Sequence, residues 1–216
     1  MQPARIFIID DHPLVRSGLR MLIESETDLS VCCETGRIEG AMGLIAKCSP
    51  DLAIIDLSLP DGNGIELVNR IKCQHPDVRV LVSSMHDESL FAERVLHTGA
   101  QGYINKQEAG DRVIEAIRQI LRGEIYLSGA MQQQLSLQAA GGKQVTPKTP
   151  VELLSNRELQ IFELIGQGMG TSTIADKLSL SVKTIETHRA KIKKKLGLGS
   201  STELMRSAVK WSIEAH

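Results

Sequence analysis

The sequence is poor in the features that mark secreted, membrane-spanning and metal-scaffold proteins. Its 216 residues include four cysteines, none of which form a CxxC pair. This spacing argues against a disulfide framework or a zinc site and is typical of small, buried, free thiols in a reducing compartment. No apolar run approaches the ~18 residues of a membrane span, and a predicted strand begins too early for a signal peptide. We therefore expect a cytoplasmic protein with no membrane partner.

The chain also lacks an excess of either charge, since its formal net charge is −1. The balance is uneven, however. Residues 151–216 carry 10 Lys/Arg against 7 Asp/Glu, whereas residues 1–150 carry 15 against 19. A basic C-terminal part favours a nucleic-acid partner for that part alone. The length is compatible with one or two domains.

A short apolar run that ends on a carboxylate is the most informative stretch. Residues 52–55 are all apolar, Asp56 follows them, and a turn with Pro60 and Gly62 comes next. A run bounded by turn residues predicts a strand buried on both faces, as in the middle of a parallel sheet. Asp56 would lie at the carboxyl end of that strand, where open α/β sheets bind ligands. We predict that Asp56 is the chemical centre of the protein.

Strands and helices alternate five times before residue 122. The predicted strands are 6–9, 29–33, 52–55, 78–82 and 101–104, and the helices that follow them begin near residues 13, 37, 64, 88 and 110. This alternation implies right-handed crossovers and a parallel sheet. We predict a doubly wound α/β fold with five strands in the flavodoxin-like order 2-1-3-4-5. Strands 1 and 3 are then neighbours at the point where the strand order reverses.

Polar side chains come at the ends of four of these strands, at one edge of the sheet. Asp10 and Asp11 follow strand 1, Ser84 follows strand 4 and Lys106 follows strand 5. With Asp56, three carboxylates would share one pocket and need a compensating charge. Mg²⁺ suits such oxygen ligands and keeps part of its water shell. Each residue alone is also a common turn, cap or surface residue, and it is their shared position that predicts a site.

Residues 1–122 resemble the receiver domain of bacterial two-component response regulators. The resemblance rests on Asp10 and Asp11, the Asp56 strand with its Pro/Gly turn, Ser84, and the stretch from Gly99 to Lys106. It implies that Asp56 accepts a phosphoryl group from a sensor histidine kinase, forming an aspartyl phosphate. It also implies that Asp10, Asp11 and Asp56 hold Mg²⁺, and that Lys106 pairs with the phosphoryl oxygens.

The same resemblance implies a conformational switch. Ser84 would move to hydrogen-bond the phosphoryl group, and Tyr103 would follow by changing rotamer. Ser58 and His86, two residues beyond Asp56 and Ser84, would flank the phosphoryl group and tune its lifetime by controlling the attacking water. For His86, an ordinary exposed loop histidine is an equally good interpretation.

Residues 123–150 are predicted to be a linker. Ser128 is a candidate cap for a short helix that includes residues 131–135. Residues 138–150 then lose apolar periodicity and gain two glycines and two prolines, a composition typical of a linker that is semi-stiff at its proline end.

Residues 151–216 predict four helices in quick succession, forming a small all-α domain. Ser155 and Glu158 form a capping-box pattern for the first helix, and Thr171 and Ser181 are candidate caps for the next two. The second and third helices are joined by a short turn, and the third, from about Lys183 to Leu196, is basic. This arrangement is typical of a helix-turn-helix that reads DNA.

The third of these helices carries the candidate DNA contacts. Its apolar side has Ile185 and Ile192, and the remaining surface carries Lys183, Thr184, Thr187, His188, Arg189, Ala190, Lys191 and Lys194. Lysines supply mainly phosphate attraction, whereas short polar and methyl groups such as those of Thr187 and Ala190 can meet base edges. A merely solvated face is the alternative for the lysine run. For His188, packing and a phosphate contact are equally good interpretations.

Residues 154–206 resemble the LuxR-type helix-turn-helix domain. The matching stretches include residues 154–158, 181–188 and 195–198. A receiver followed by this domain is the architecture of the NarL/FixJ group of response regulators. The resemblance implies homodimers on two DNA half-sites, with the fourth helix as the dimer face. Leu204, Ala208 and Trp211 fit that face, and a core role fits them equally well.

We therefore predict a phosphorylation-switched, DNA-binding transcriptional regulator that is not an enzyme beyond its own phosphoryl transfer and dephosphorylation. Two other classes are compatible with parts of the sequence. One is a constitutive DNA-binding regulator with a phosphorylation-silent front half, which Asp56→Asn would leave unchanged. The other is a metal-dependent phosphatase or phosphotransferase that uses Asp56 as its nucleophile. Such an enzyme needs a substrate-covering cap, which this compact half lacks.

Overall fold

The structure is a computed structural model that describes residues 2–85, 88–107, 109–133, 150–178 and 180–214. The described residues form two compact units, one on either side of residues 134–149. Most of the predicted linker therefore lies outside the described residues. In the part of the chain that is described, no helix combines the length and the hydropathy required to cross a bilayer.

The first unit is a parallel sheet between two layers of helices. Its strands are β1 (Ala4–Ile9), β2 (Leu29–Thr35), β3 (Leu52–Ile55), β4 (Ser58–Leu59), β5 (Gly62–Asn63), β6 (Arg79–Ser84) and β7 (Gly102–Asn105). Its helices are α1 (Pro13–Glu24), α2 (Ala41–Cys48), α3 (Gly64–Gln74), α4 (Glu88–His97) and α5 (Ala109–Leu121). Five strands pair in parallel in the order β2-β1-β3-β6-β7. In the sequence order of those five strands this is 2-1-3-4-5, so the predicted fold class is confirmed.

The central strands are buried on both faces, as their continuous apolar sequences predict. Residues 6–9 of β1 and 52–55 of β3 are at most 1% exposed. On one face, Leu19 and Ile23 of α1 and Ile117 of α5 pack against them. The strand ends, and with them the polar residues that follow, are thereby held in a rigid frame.

Two local features of the sheet differ from the predictions. A two-residue antiparallel hairpin, β4–β5, occupies the turn after Asp56, where a plain loop was expected. In β2 the register with β1 shifts between Ile6 and Phe7, which leaves Cys32 as an extra, bulged residue.

The four cysteines are free, but three are only partly buried and Cys73 is exposed. The expectation that they are buried apolar residues is therefore wrong.

The second unit has the four predicted helices, preceded by a 3-10 turn at Pro150–Leu153. They are α6 (Asn156–Gly166), α7 (Thr171–Lys177), α8 (Val182–Leu196) and α9 (Ser201–Glu214). The Ser155–Glu158 capping box is present at α6, and the Ser181 side chain accepts a hydrogen bond from the Thr184 amide at α8. Thr171 is not a cap, because it is the first residue of α7 and follows Gly170.

Helix α9 packs closely on α6 and completes the core of this unit. Gly166 lets the two backbones approach, since a Cβ there would lie 2.6 Å from the Ala208 carbonyl oxygen. Leu204 and Ala208 are 0% exposed, and Trp211 packs on Phe162 with ring centroids 5.5 Å apart. For Leu204 and Ala208 the structure favours the core role, because buried groups are not available to a second chain, whereas Trp211 is only partly buried.

Candidate functional site

The ends of β1, β3, β6 and β7 meet at one edge of the sheet. The Asp56 amide donates to the Ile9 carbonyl (2.8 Å), which places Asp56 beside Asp10. The Lys106 amide donates to the Ser84 carbonyl (2.9 Å) in the same way. Parallel pairing therefore brings these predicted residues to a common edge, and the side chains of Asp10, Asp56 and Lys106 meet there.

Lys106 bridges the two buried carboxylates. Its Nζ lies 2.7 Å from Asp10 Oδ2 and 2.7 Å from Asp56 Oδ2, and the three side chains are only 7%, 2% and 2% exposed. The other oxygens also have donors, since Asp10 Oδ1 accepts from the His12 amide (2.9 Å) and Asp56 Oδ1 from the Ser58 amide (3.1 Å). The carboxylates are thus fixed in position by charge and by backbone hydrogen bonds.

Burial and charge oppose each other in this cluster. Burial raises the pKa of Asp56, Lys106 acts to lower it, Asp10 acts to raise it, and the net shift is upward. Burial acts to lower the pKa of Lys106, but Asp56 and Asp10 outweigh it and the pKa lies above its ordinary value. Lys106 is therefore held in its charged form. An additional cation beside Asp56 would favour the carboxylate form that a nucleophile needs.

The acidic residues fit a divalent cation. One ligand atom from each of Asp10, Asp11, His12 and Asp56 lies within 4.8 Å of the others. Asp11 Oδ1 is a buried oxygen that has no hydrogen-bond partner among the described residues. It lies 2.6 Å from His12 Nδ1, but that contact is not aligned as a hydrogen bond. Carboxylate oxygens gathered this closely match the oxygen-rich, partly hydrated coordination of Mg²⁺.

Two residues that position Asp56 were not predicted. A Cβ at Gly64 would collide with the Asp56 carbonyl oxygen and lie 2.7 Å from Leu57 Cα, so only glycine lets α3 begin this close to the Asp56 loop. The buried Asn63 side chain caps α3 by accepting from the Ile65 amide (2.8 Å). The Asn-Gly pair before an apolar helical pattern was the sequence signal for this cap.

The structure describes three of the four predicted switch and tuning residues, namely Ser58, Ser84 and Tyr103. Ser84, the last residue of β6, and Tyr103 on β7 are both 0% exposed. Ser58 is partly buried in β4 and holds Asp56 through its amide. His86 lies outside the described residues, so its tuning role stays a prediction.

Helix α8 separates the predicted DNA contacts into two groups. Five are exposed on its outer surface, namely Lys183, Thr187, Ala190, Lys191 and Lys194, whereas Thr184, His188 and Arg189 are partly buried. Thr184 Oγ1 is engaged with Ser181 Oγ (2.8 Å) at the helix start. The exposed face also carries Glu186, whose negative charge restricts how that part of the helix approaches a phosphate.

Two residues beside this face have structural roles. His188 Nδ1 is buried and has no hydrogen-bond partner among the described residues. Burial, together with the charges of Lys191 and Arg157, lowers the pKa of His188. A neutral, inward-facing ring favours packing over a phosphate contact. Lys195 Nζ donates to Glu158 Oε2 (2.6 Å) and to the Leu153 carbonyl (3.1 Å), so the last lysine of the run holds α8 to α6.

Comparisons with known proteins agree with this geometry. The sequence model described as "Response regulator receiver domain" matches residues 6–118, and that of "Bacterial regulatory proteins, luxR family" matches residues 152–208. The "Oxygen regulatory protein NreC" of Staphylococcus carnosus (strain TM300) is 35% identical over 210 residues, which cover 95% of this chain and 97% of that protein. A Staphylococcus aureus (strain JH9) protein of the same name has the same identity and coverage.

One similar solved structure spans nearly the whole chain, and another spans about two thirds of it. RcsB from Salmonella enterica serovar Typhimurium, in a structure bound to promoter rprA in the presence of the phosphomimetic BeF3⁻, is 26% identical. It covers 95% of this chain and 98% of its own, with a TM-score of 0.63. A LuxR-family response regulator from Aurantimonas sp. SI85-9A1 is 34% identical with a TM-score of 0.59, over 64% of this chain and 99% of its own.

These matches identify the class of protein. The chain belongs to the two-component response regulators of the NarL/LuxR type, in which a receiver domain is joined to a LuxR-type helix-turn-helix DNA-binding domain. Members of this class are transcriptional regulators rather than classical enzymes. Both predicted family resemblances are confirmed.

Proposed function

We propose that this regulator is switched by phosphorylation of Asp56. The observation that carries the proposal is the buried cluster in which Lys106 Nζ lies 2.7 Å from both Asp10 and Asp56. A charged lysine and a pair of fixed carboxylates at the end of a central strand match what phosphoryl transfer to a carboxylate requires. The donor is a phosphohistidine of a sensor histidine kinase.

In the reaction, an Asp56 carboxylate oxygen attacks phosphorus, the P–N bond to the kinase histidine breaks, and an aspartyl phosphate forms. Lys106 remains protonated and can move from the Asp56 carboxylate to a phosphoryl oxygen. Asp10 and Asp11, with Asp56, would hold Mg²⁺, which when bound offsets the negative charge of the transferring group. Gly64 and the Ser58 amide keep Asp56 in place throughout.

The switch that follows uses the residues around the cluster. Ser84 would move towards the new phosphoryl oxygens, and Tyr103 would respond on the neighbouring strand, which is paired with β6 through Ser84 and Asn105. Ser58, and His86 two residues after Ser84 in the sequence, would set how readily water attacks the aspartyl phosphate. The Ser84 carbonyl accepts from the Lys106 amide, and Tyr103 lies on the strand that ends just before Lys106. Phosphorylation beside Lys106 would therefore act on both residues together.

The output is DNA binding by α8 in the major groove. Its exposed lysines Lys183, Lys191 and Lys194 would contact phosphates, and Thr187 and Ala190 would meet base edges. The promoter complex of RcsB, a similar protein, supports this assignment. Such a regulator would act in the cytoplasm, where its DNA is.

Homodimerisation on two half-sites would use the outer side of α9. Leu204 and Ala208 are buried and cannot serve. The exposed apolar residues Met205, Val209 and Ile213, which are 43%, 36% and 73% exposed, follow one another at four-residue spacing along the helix. That spacing places them on one face, where the same face of a second copy would cover them.

Intact-mass analysis with acetyl phosphate tests this proposal. The wild-type chain is expected to gain one phosphoryl group in the presence of Mg²⁺, and Asp56→Asn is expected to gain none. The same samples on a sizing column are expected to show dimerisation of the phosphorylated chain only. A wild-type chain that takes phosphoryl neither from acetyl phosphate nor from a histidine kinase would leave a constitutive DNA-binding regulator as the function.

A further inference from the structure

Residues 124–128, which we call the edge segment, belong to the receiver rather than to a free linker. Tyr126 and Leu127 are 8% and 4% exposed, and Met131, just beyond the segment, is 3% exposed. A freely solvated linker would not bury such side chains. The edge segment is therefore a packed part of the first unit, at the point where the chain leaves it.

The edge segment extends the sheet beyond β7, its last strand. Tyr126 forms a parallel bridge with Gly102. The Tyr126 amide donates to the Gln101 carbonyl (2.9 Å), and the Tyr103 amide donates to the Tyr126 carbonyl (3.1 Å). These bonds use backbone groups that an edge strand otherwise leaves unpaired. The strand that carries the switch residue Tyr103 is thus bonded directly to the start of the connection.

Gly102 makes this close pairing possible. A Cβ at position 102 would lie 2.9 Å from the Tyr126 carbonyl oxygen and 2.8 Å from Ile120 Cδ1. A side chain at position 102 has no space, because the Tyr126 backbone and the Ile120 side chain both lie where its Cβ would be. An alanine at this position would push the edge segment away from β7.

The edge segment is also bonded to α4, the helix that comes next in the sequence after Ser84. The Ser128 amide donates to Glu88 Oε1 in the first turn of α4 (2.8 Å). Ser128 Oγ in turn accepts from the Met131 amide (3.2 Å) and so begins the helical segment at 129–133. The residue that caps the helical segment at 129–133 is therefore held by α4.

We infer that the edge segment transmits the state of the Asp56 site to the connection with the DNA-binding unit, through its bonds to β7 and to Glu88. The inference rests on the proposed phosphorylation switch. A shift of Ser84 moves the start of α4 and with it Glu88, and a rotamer change of Tyr103 alters the strand to which Tyr126 is bonded. Both changes act on residues 126–128. On phosphorylation of Asp56, the hydrogen bond from the Ser128 amide to Glu88 Oε1 is the contact that breaks.

The test compares the full-length wild type with Glu88→Ala, each with and without acetyl phosphate and Mg²⁺. Glu93→Ala is the matched control, because Glu93 lies on the same helix, has a 58% exposed side chain and lies 3.6 Å from His97 one turn further along that helix. The probe is a duplex selected from a random-sequence library by the phosphorylated wild-type chain. The measured quantity is the ratio of DNA affinities with and without phosphorylation.

We expect the wild type and Glu93→Ala to show a ratio of about 5 to 150, the usual range of coupling between two sites. Glu88→Ala is expected to be phosphorylated to the same extent by intact mass but to have a ratio within about twofold of one. Gly102→Ala, which displaces the edge segment by a different route, is expected to lower the ratio in the same way.

Hydrogen exchange gives a direct measurement of the segment. In the wild type, the amides of residues 124–133 are expected to exchange faster after phosphorylation, whereas in Glu88→Ala they exchange fast in both states. A wild-type ratio of one would reject the switch itself. A normal ratio in both Glu88→Ala and Gly102→Ala would reject the edge segment as its transmitter while leaving the switch intact. Loss of phosphorylation in Glu88→Ala would also overturn the inference, because Glu88 would then act in the transfer itself.

Discussion

The two units place their charges in opposite ways. In the receiver, Asp10, Asp56 and Lys106 are withdrawn from water and bonded to one another, whereas on α8 the lysines that face outward are exposed. Phosphoryl transfer needs reacting groups held in fixed positions before the donor arrives. DNA attracts exposed cations over a long range, so its binding face can stay solvated until the complex forms. Charge is buried where chemistry is expected and exposed where recognition is expected.

The largest expected difference between the two units is in stability, when one lysine is replaced in the buried cluster and one on the exposed face of α8. Lys106→Met leaves two buried carboxylates without their cation, and we expect the receiver to lose about 3 kcal/mol or more. Lys194→Ala removes an exposed charge and should change stability by less than about 0.5 kcal/mol. Urea unfolding followed by far-UV circular dichroism measures both.

The single tryptophan of the chain allows the unfolding of the second unit to be followed separately from that of the receiver. Trp211 lies in the second unit against Phe162, so its fluorescence should report an unchanged transition for Lys106→Met. A loss below about 1 kcal/mol in the receiver would contradict the tight coupling of Lys106 to its carboxylates.

The second unit has an ion pair between the buried Glu158 carboxylate and the partly exposed Lys195, and it should respond to acid. Burial acts to raise the pKa of Glu158, but the bonds from Lys195 and Ser155 outweigh it, and the pKa lies below its ordinary value of 4.5. The contribution of this pair to stability is then fully present above pH 4.5 and is lost as the pH falls through the folded-state pKa. We expect a contribution of about 1 kcal/mol, because Lys195 is 39% exposed and water screens the pair.

Urea titrations at several pH values, followed by Trp211 fluorescence, measure this contribution. Glu158→Gln keeps acceptor atoms for Ser155 and Lys195 but does not titrate, so its stability should vary less between pH 4.5 and pH 3. Equal pH dependence in the wild type and Glu158→Gln would assign the acid sensitivity of this unit to other groups.

The third contrast concerns two neighbouring lysines of α8. Lys194→Ala is expected to weaken DNA binding roughly tenfold and to reduce the salt slope by about one, because one phosphate contact is lost. Lys195→Ala should instead lower stability through Glu158 with a smaller direct effect on the salt slope. Affinities measured over a range of salt concentrations distinguish them. A lower slope for Lys195→Ala than for Lys194→Ala would reverse the assignment.

The smallest expected effect is a gain in stability in the receiver. Ser83 is 1% exposed and its Oγ has no hydrogen-bond partner among the described residues. Ser83→Ala removes this buried hydroxyl, and we expect the receiver to gain about 1 kcal/mol. Thermal unfolding by circular dichroism measures the gain. A loss of stability would show that the hydroxyl has a partner, such as a buried water.

Much of the receiver was predictable because its signals are periodic and local. Apolar runs of strand length alternated with helical patterns, and the structure has the expected sheet order. Helix α4 begins and ends at the predicted residues 88 and 97. Helix α2 begins four residues later than predicted, at Ala41, because Gly40 adopts a left-handed conformation (φ 80°) that ends the preceding turn.

The candidate site was predictable for a geometric reason. In a parallel sheet the carboxyl ends of all strands lie at one edge, so residues after successive strands meet there whatever their separation along the chain. Asp10, Asp56 and Lys106 were identified in this way. Gly64 was not, because its importance arises from the closeness of α3 to the Asp56 loop, and a close approach of two segments leaves no periodic signal.

Strand and helix order, the polar edge of the sheet and the basic character of α8 follow from the sequence, since each depends on residue type and spacing along one element. Other features depend on contacts between distant elements. One example is whether Leu204 faces a second chain or the core. Two others are whether Lys195 contacts DNA or Glu158, and whether Tyr126 lies in a linker or against β7. Burial and pairing of this kind depend on how separate elements pack together, and the tertiary structure alone supplied those answers.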